Sequence, residues 1–146
     1  MALAFRPATT TDIEYARSLC FETMRWIIKR LFGWDEATEV EKFAKQFVPE
    51  ETSIITFRGT KVGWLQTSVR DNCVFLAQVY IEPGHQGQGL GTQAIRMVIG
   101  QADELGLPVR LGVVRFNPAL GLYERLGFKT VGEDQYKFYM ERPASN

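Results

Sequence analysis

The chain has 146 residues, and its 17 Lys plus Arg balance 17 Asp plus Glu, for a formal net charge of zero. That length predicts one domain over residues 1–146 with a single core, and the balanced charge with no basic stripe excludes a nucleic-acid binder on electrostatic grounds. No apolar run approaches a membrane span, the first residues lack a signal-peptide layout, and Cys20, Cys73 and the single His85 have no metal-type spacing; a reduced, cytoplasmic, metal-free protein is expected.

In chain order, Leu3 to Arg6 reads as a short strand ending at Pro7. Thr11-Asp12-Ile13-Glu14 reads as a capping box that opens a helix through Leu19 and Met24 toward Leu31. Gly33-Trp34 breaks that helix, and Asp35 caps a second one ending before Pro49. Ser53 to Phe57 and Val62 to Val69 are strands joined by a hairpin turn around Arg58-Gly59-Thr60-Lys61, and Val74 to Ile81 is the next strand. Leu90, Ala94, Val98, Ala102 and Leu105 recur at near-helical spacing, widened by Ile95 and Ile99. A strand at Val109 to Val114, a short helix after Asn117, and a final pair around Lys129 to Val131 and Tyr136 to Met140 complete the order. Strands before and between helices predict an α/β (α+β) domain with a mixed sheet and helices on both faces.

Between the Val74–Ile81 strand and the following helix lies Gln86-Gly87-Gln88-Gly89-Leu90-Gly91. The order strand, glycine loop, helix builds an anion site from backbone alone. First-turn N–H groups lack intrahelical partners, the helix dipole is positive at that end, and glycines let main chain approach a phosphate. No Lys-Ser or Lys-Thr follows the glycines, so this is not a P-loop. The glycine spacing and the place of the motif past mid-chain also fit a dinucleotide fingerprint poorly.

A second constellation runs from Asn117 to Phe128, Asn-Pro-Ala-Leu-Gly-Leu-Tyr-Glu-Arg-Leu-Gly-Phe. Asn117 is suited to cap a helix with Pro118 at its first position, and Gly127 to end it in a left-handed conformation. Together with Gln86-x-x-Gly89-x-Gly91 and the Ile81-to-Pro83 spacing, this segment resembles the GNAT superfamily of acyl-CoA-dependent N-acyltransferases. The resemblance is strong from about Ile54 to Met140 and looser before it.

It implies a mostly antiparallel twisted sheet whose central parallel strand pair splays apart, with the pantetheine arm of acetyl-CoA in the gap. It implies Val79 and Ile81 as main-chain partners of that arm, and Gln86, Gly87, Gln88, Gly89, Leu90, Gly91 and Thr92 around the pyrophosphate. Asn117 would contact the pantetheine side and Tyr123 would sit by the sulfur. Gln88 stands where relatives often carry a basic residue, which weakens charge pairing to phosphate here. A phenol of pKa ~10 protonating a thiolate of ~8.5 works uphill by roughly 1.5 units, so Tyr123 reads as a hydrogen-bond donor to the leaving sulfur. Packing of its ring under the sheet is the competing reading.

The strand glutamate that serves as base in histone-type relatives is replaced by Phe75. Glu22, Glu82 or a water chain are the candidates, and Glu22-Thr23-Met24-Arg25-Trp26 combines carboxylate, cation and aromatic where relatives bind acceptors. Glu22, Arg25, Trp26 and Trp34 are therefore the acceptor candidates, against a solvated helix face and an aromatic core; Arg115 is a further candidate for the cofactor or a substrate carboxylate. The expected activity is acetyl transfer to a primary amine of a small molecule or amino-acid-like acceptor in a ternary complex. A protein lysine or N-terminal acetyltransferase and a noncatalytic acyl-CoA-binding module are the alternatives. A homodimer is implied by analogy alone.

Overall fold

Two tight turns fold the middle of the chain into three successive strands. Arg58-Gly59 and Asp71-Asn72 each adopt positive φ at both residues, +53° and +81° in the first and +52° and +58° in the second. This left-handed pair matches the twist of a two-residue hairpin. The protein is described here from a computed structural model over residues 3–145.

Its elements are β1 (Leu3–Pro7), α1 (Ile13–Phe32), α2 (Glu36–Gln46), β2 (Thr52–Phe57), β3 (Thr60–Arg70), β4 (Cys73–Ile81), α3 (Leu90–Leu105), β5 (Val109–Val114), α4 (Leu120–Arg125), β6 (Lys129–Glu133) and β7 (Lys137–Arg142). Strand pairing follows the order β1-β2-β3-β4-β5-β7-β6, mostly antiparallel with β4 and β5 as the parallel pair. That ladder couples Val74 with Val109 and Phe75 with Arg110. The mixed sheet expected from the strand and helix order is thus present. No helix among the described residues is long and apolar enough to cross a membrane.

The contacts divide the chain into two units, Met1–Gln66 with Gln78–Gln88, and Thr67–Ala77 with Gly89–Asn146. In the first unit the core gathers around Trp64, which is fully buried and donates its indole N–H to the Ala16 carbonyl at 3.0 Å. Phe43 and Phe47 meet its ring edge-on at 5.9 and 6.0 Å, and Tyr80 lies 5.1 Å away. Such aromatic pairs add to plain area burial. Gly63 is required here, because a Cβ at that position would lie 2.0 Å from the Tyr80 carbonyl oxygen.

The entry to α1 differs from the expected Thr11…Glu14 box. A 3-10 turn, Thr10–Asp12, precedes the helix, and the Asp12 carboxylate reaches back to accept the Thr9 N–H at 2.9 Å. The box sits two residues earlier because Arg6 on β1 donates twice to Asp12, each at 3.1 Å, and fixes that carboxylate. The same guanidinium holds the Asp12 carboxyl below its ordinary pKa. Asp35 caps α2 as expected, accepting the Thr38 N–H at 3.1 Å.

In the second unit, β5 pairs with β7 from Val109↔Arg142 to Val114↔Lys137. Leu90, Ala94, Ile95, Val98, Ile99 and Ala102 bury one face of α3. Leu105, counted in that stripe from its spacing, is instead 59% exposed, because it is the last helical residue before Gly106 turns the chain away.

Candidate active site

The glycine loop takes the form that an anion site needs. A 3-10 turn, Pro83–His85, leads out of β4, and Gly87 and Gly89 have φ of +79° and +77°. Side chains resist that region, yet a Cβ built on either glycine would meet nothing within 4 Å. The constraint is therefore the backbone path, and the space over the loop is open. Gly89 is the N-cap of α3, and the first helical bond runs from Gln93 N–H to the Gly89 carbonyl at 3.0 Å. The N–H groups of Leu90, Gly91 and Thr92 precede that bond and have no partner among the described residues. These are the donors a phosphate group takes, so the chain's own backbone fits the pyrophosphate of a coenzyme.

The expected donor-site residues fall in both units. Val79, Ile81, Gln86, Gly87 and Gln88 belong to the first, and Gly89, Leu90, Gly91, Thr92, Asn117 and Tyr123 to the second. Within the first, Gln86 donates its amide to the Ile81 carbonyl at 2.9 Å, so one of the two strand carbonyls expected to meet the pantetheine already has a partner. Glu82 N–H bonds the Val62 carbonyl at 2.7 Å, which ties the end of β4 to β3.

In the second unit the helix after Asn117 is shorter than expected. It begins at Leu120 with Ala119 as its N-cap, where Asn117 with Pro118 at the first position was expected. Asn117 Oδ1 accepts the Ala119 N–H at 2.9 Å and its carbonyl accepts Leu120 N–H at 3.2 Å. These two bonds close a tight turn before the helical ladder starts. At the other end Gly127 adopts φ +96°, and Phe128 N–H reaches the Tyr123 carbonyl at 3.1 Å, as expected for a left-handed helix stop.

Tyr123 is thereby held from both sides. Its ring is buried and packs edge-on to Phe128 at 5.7 Å. Its hydroxyl has no hydrogen-bond partner among the described residues, and burial alone pushes its pKa up to about 12. Against a thiol near ~8.5, the gap becomes roughly 3.5 units, or about 5 kcal/mol. A phenol this weakly acidic keeps its proton at neutral pH and is available as a hydrogen-bond donor.

The acceptor candidates lie on α1 and the turn after it. Arg25 and Trp34 come together, but on Glu36: Arg25 Nη2 and Trp34 Nε1 both donate to Glu36 Oε1, at 3.1 and 2.8 Å. The guanidinium also lies 4.9 Å from the Trp34 ring centroid, and Trp34 meets Phe21 edge-on at 5.0 Å. Trp26 is 49% exposed, so the aromatic-core reading fails for it. Glu22 is exposed and forms no ion pair among the described residues. Glu82 by contrast accepts the Tyr15 hydroxyl at 2.5 Å, with the Lys61 ammonium 4.4 Å from the Tyr15 ring. That pairing escaped the sequence, since 67 residues separate the partners. Arg115, a sequence candidate for a cofactor or substrate carboxylate, donates to the Asp134 carbonyl at 2.8 Å, pairs with Glu133 at 3.3 Å and stacks on Phe138. It braces the β6–β7 end.

The model of the acetyltransferase (GNAT) family matches residues 17–128. The chain belongs to that family. Among solved structures it is similar to the PaiA N-acetyltransferase of Thermoplasma acidophilum, solved in complex with coenzyme A, at 18% identity and a TM-score of 0.77, covering 98% of this chain and 99% of that one. It is also similar to the ribosomal-protein-S18-alanine N-acetyltransferase of Escherichia coli, at 22% identity and a TM-score of 0.70 over 99% and 95% of the two chains. The N-acetylglutamate synthase of Neisseria gonorrhoeae, complexed with coenzyme A and N-acetyl-glutamate, gives 17% identity and a TM-score of 0.68 over 99% of this chain and 35% of that one. By sequence, no curated protein matches the chain. At these identities the likeness carries the fold.

Proposed function

We propose that the protein transfers the acetyl group of acetyl-CoA to a primary amine of a small molecule or amino-acid-like acceptor, by direct attack in a ternary complex. The observation that carries this reading is the pair of open donors: the unpartnered first-turn N–H groups of α3 and the unpartnered hydroxyl of buried Tyr123. When bound, acetyl-CoA supplies an acetyl group already activated as a thioester.

The residues of this chain then have separable tasks. Leu90, Gly91 and Thr92 hold the pyrophosphate by backbone N–H, with Gln86, Gly87, Gln88 and Gly89 shaping the loop. Val79 and Ile81 offer main chain to the pantetheine, Ile81 once the Gln86 amide releases its carbonyl, and Asn117 positions the turn that presents Tyr123. Tyr123 Oη donates to the departing sulfur and lowers the cost of the charge gathering there. Glu22 takes the proton that an acceptor ammonium must lose before it attacks. Support for Glu22 is its freedom from ion pairs, where Glu36 and Glu82 are occupied. Trp26 supplies exposed apolar surface to the acceptor, and Arg25 with Trp34, fixed on Glu36, forms a rigid wall beside it.

The test is thiol release from acetyl-CoA with a panel of small amines and amino acids beside peptides bearing free N-termini or lysines. Turnover of small amines above the peptide rate is expected. Turnover of peptides alone would replace this acceptor class with a protein amine, and no turnover with any amine would leave a noncatalytic binding module. A pH–rate profile unchanged by Glu22→Gln would remove Glu22 as the base.

A further inference from the structure

The second unit holds a cavity of about 240 Å³ that none of the acetyl-transfer residues enters. Its apolar lining includes Phe75, Leu111 and Met140, with Leu111 and Met140 at 3% and 1% exposure. Three charged residues line it as well, Arg70 at the end of β3, Asp71 in the turn that follows and Arg110 on β5. Arg70 and Asp71 are the two of them that form no ion pair among the described residues, although the Asp71 charge also acts on Arg110. Arg70 lies over the Phe75 ring, its guanidinium carbon 4.0 Å from the centroid, and pairs with no carboxylate among the described residues. Asp71 likewise forms no ion pair, and its positive φ of +52° is set by the turn. Arg110, the third charged residue of the lining, differs, for its guanidinium is held by Glu141 at 2.5 Å.

An apolar floor with one open cation and one open anion side by side is complementary to a particular kind of molecule. A plain apolar ligand would leave both charges unanswered, and a simple carboxylate would answer Arg70 while facing Asp71. A zwitterion with an apolar side chain answers all three features. Size agrees, because an apolar cavity of about 150 Å³ holds one benzene ring, so 240 Å³ holds one amino acid of leucine or phenylalanine size. We propose that this cavity is a binding site for a free apolar α-amino acid, its carboxylate on Arg70, its ammonium on Asp71 and its side chain over Phe75, Leu111 and Met140. Arg70 and Asp71 are exposed, so affinity is modest, in the range of free amino-acid pools.

Calorimetric titration of the whole chain with L-leucine and L-phenylalanine tests this, with leucinamide and 4-methylpentanoate as single-charge probes. Saturable binding of both amino acids is expected, about tenfold tighter than either probe and unchanged by saturating coenzyme A. Arg70→Gln is expected to weaken the amino acids about tenfold. Asp71→Asn, which suits the left-handed turn, is expected to weaken them similarly while leaving 4-methylpentanoate unweakened. Neither variant should alter acetyl-CoA binding. Absence of saturable binding would overturn the proposal. So would binding indifferent to both substitutions, which would move the amino acid to the acceptor region and leave the acetyl-transfer reading intact.

Discussion

Tyr15 and Tyr123 are the same residue type in opposite hydrogen-bonding states. Tyr15, in the first turn of α1, gives its hydroxyl to Glu82 at 2.5 Å and its ring face to Lys61. Its pKa is raised by burial and by that carboxylate. Tyr123, on α4, is raised by burial alone, and its hydroxyl faces no partner among the described residues. The ring of Tyr123 is buried while its unpartnered hydroxyl is not among the fully buried unsatisfied atoms, so it is left free to donate to an incoming group. The same contrast separates Arg25 and Arg115, both closed by carboxylate or carbonyl oxygens, from the α3 N–H groups, which stay open. In the proposed account the donor site uses hydrogen-bonding capacity that is left open, while Arg25 and Arg115 are already fixed by partners.

The largest expected effect is at Tyr123. Tyr123→Phe keeps the ring against Phe128 and removes only the donor, so kcat should fall roughly 100-fold or more with little change in KM for acetyl-CoA. Steady-state kinetics would show it, and a wild-type rate would break the comparison. The two phenols also predict an alkaline signature. Folded Tyr123 keeps its proton up to about pH 12, whereas an unfolded tyrosine releases it near ~10. Stability is therefore full below pH ~10 and falls as pH rises through that window, by roughly 3 kcal/mol for this residue. Denaturant melts across that range should be flatter in Tyr123→Phe than in the parent chain.

Next in size is Gly89→Ala. The added Cβ meets no atom but must adopt φ +77°, which costs about 1–2 kcal/mol and distorts the cap of α3. A rise in the acetyl-CoA dissociation constant of about tenfold is expected by titration. Tyr15→Phe sharpens the contrast from the other side: it leaves the Glu82 carboxylate without its donor and should cost roughly 1–2 kcal/mol in stability. Turnover in that variant should stay within about threefold of the parent. Smallest is Arg25→Gln, which removes an exposed pair with Glu36 and should shift stability by under about 1 kcal/mol. A large loss of acceptor affinity in that variant would return Arg25 to a direct binding role.

The parts legible in the sequence were those governed by local rules. The hairpin turn at Arg58-Gly59, the Asp35 cap, the β5 limits and the Gly127 helix stop all depend on a few neighbouring residues. The glycine loop was legible for the same reason. What escaped depended on partners far along the chain. Arg6 moved the capping box to Asp12, and Glu36 closed off Arg25 and Trp34. Asn117 had two local uses open to it, an N-cap and a turn, and the turn won because Ala119 N–H lay within its reach. The cavity between Arg70 and Met140 draws on β3, β4, β5, β6 and β7, and no linear pattern marks it.

The central claim is that the open backbone donors at the start of α3 hold the acyl donor. Isothermal titration of the purified protein with acetyl-CoA, beside CoA and NADH, tests it most directly. Tight binding of acetyl-CoA and CoA with no binding of NADH is the predicted result. No binding of either CoA species would make the glycine loop only a strand-to-helix turn, and the acetyl-transfer account would fall with it.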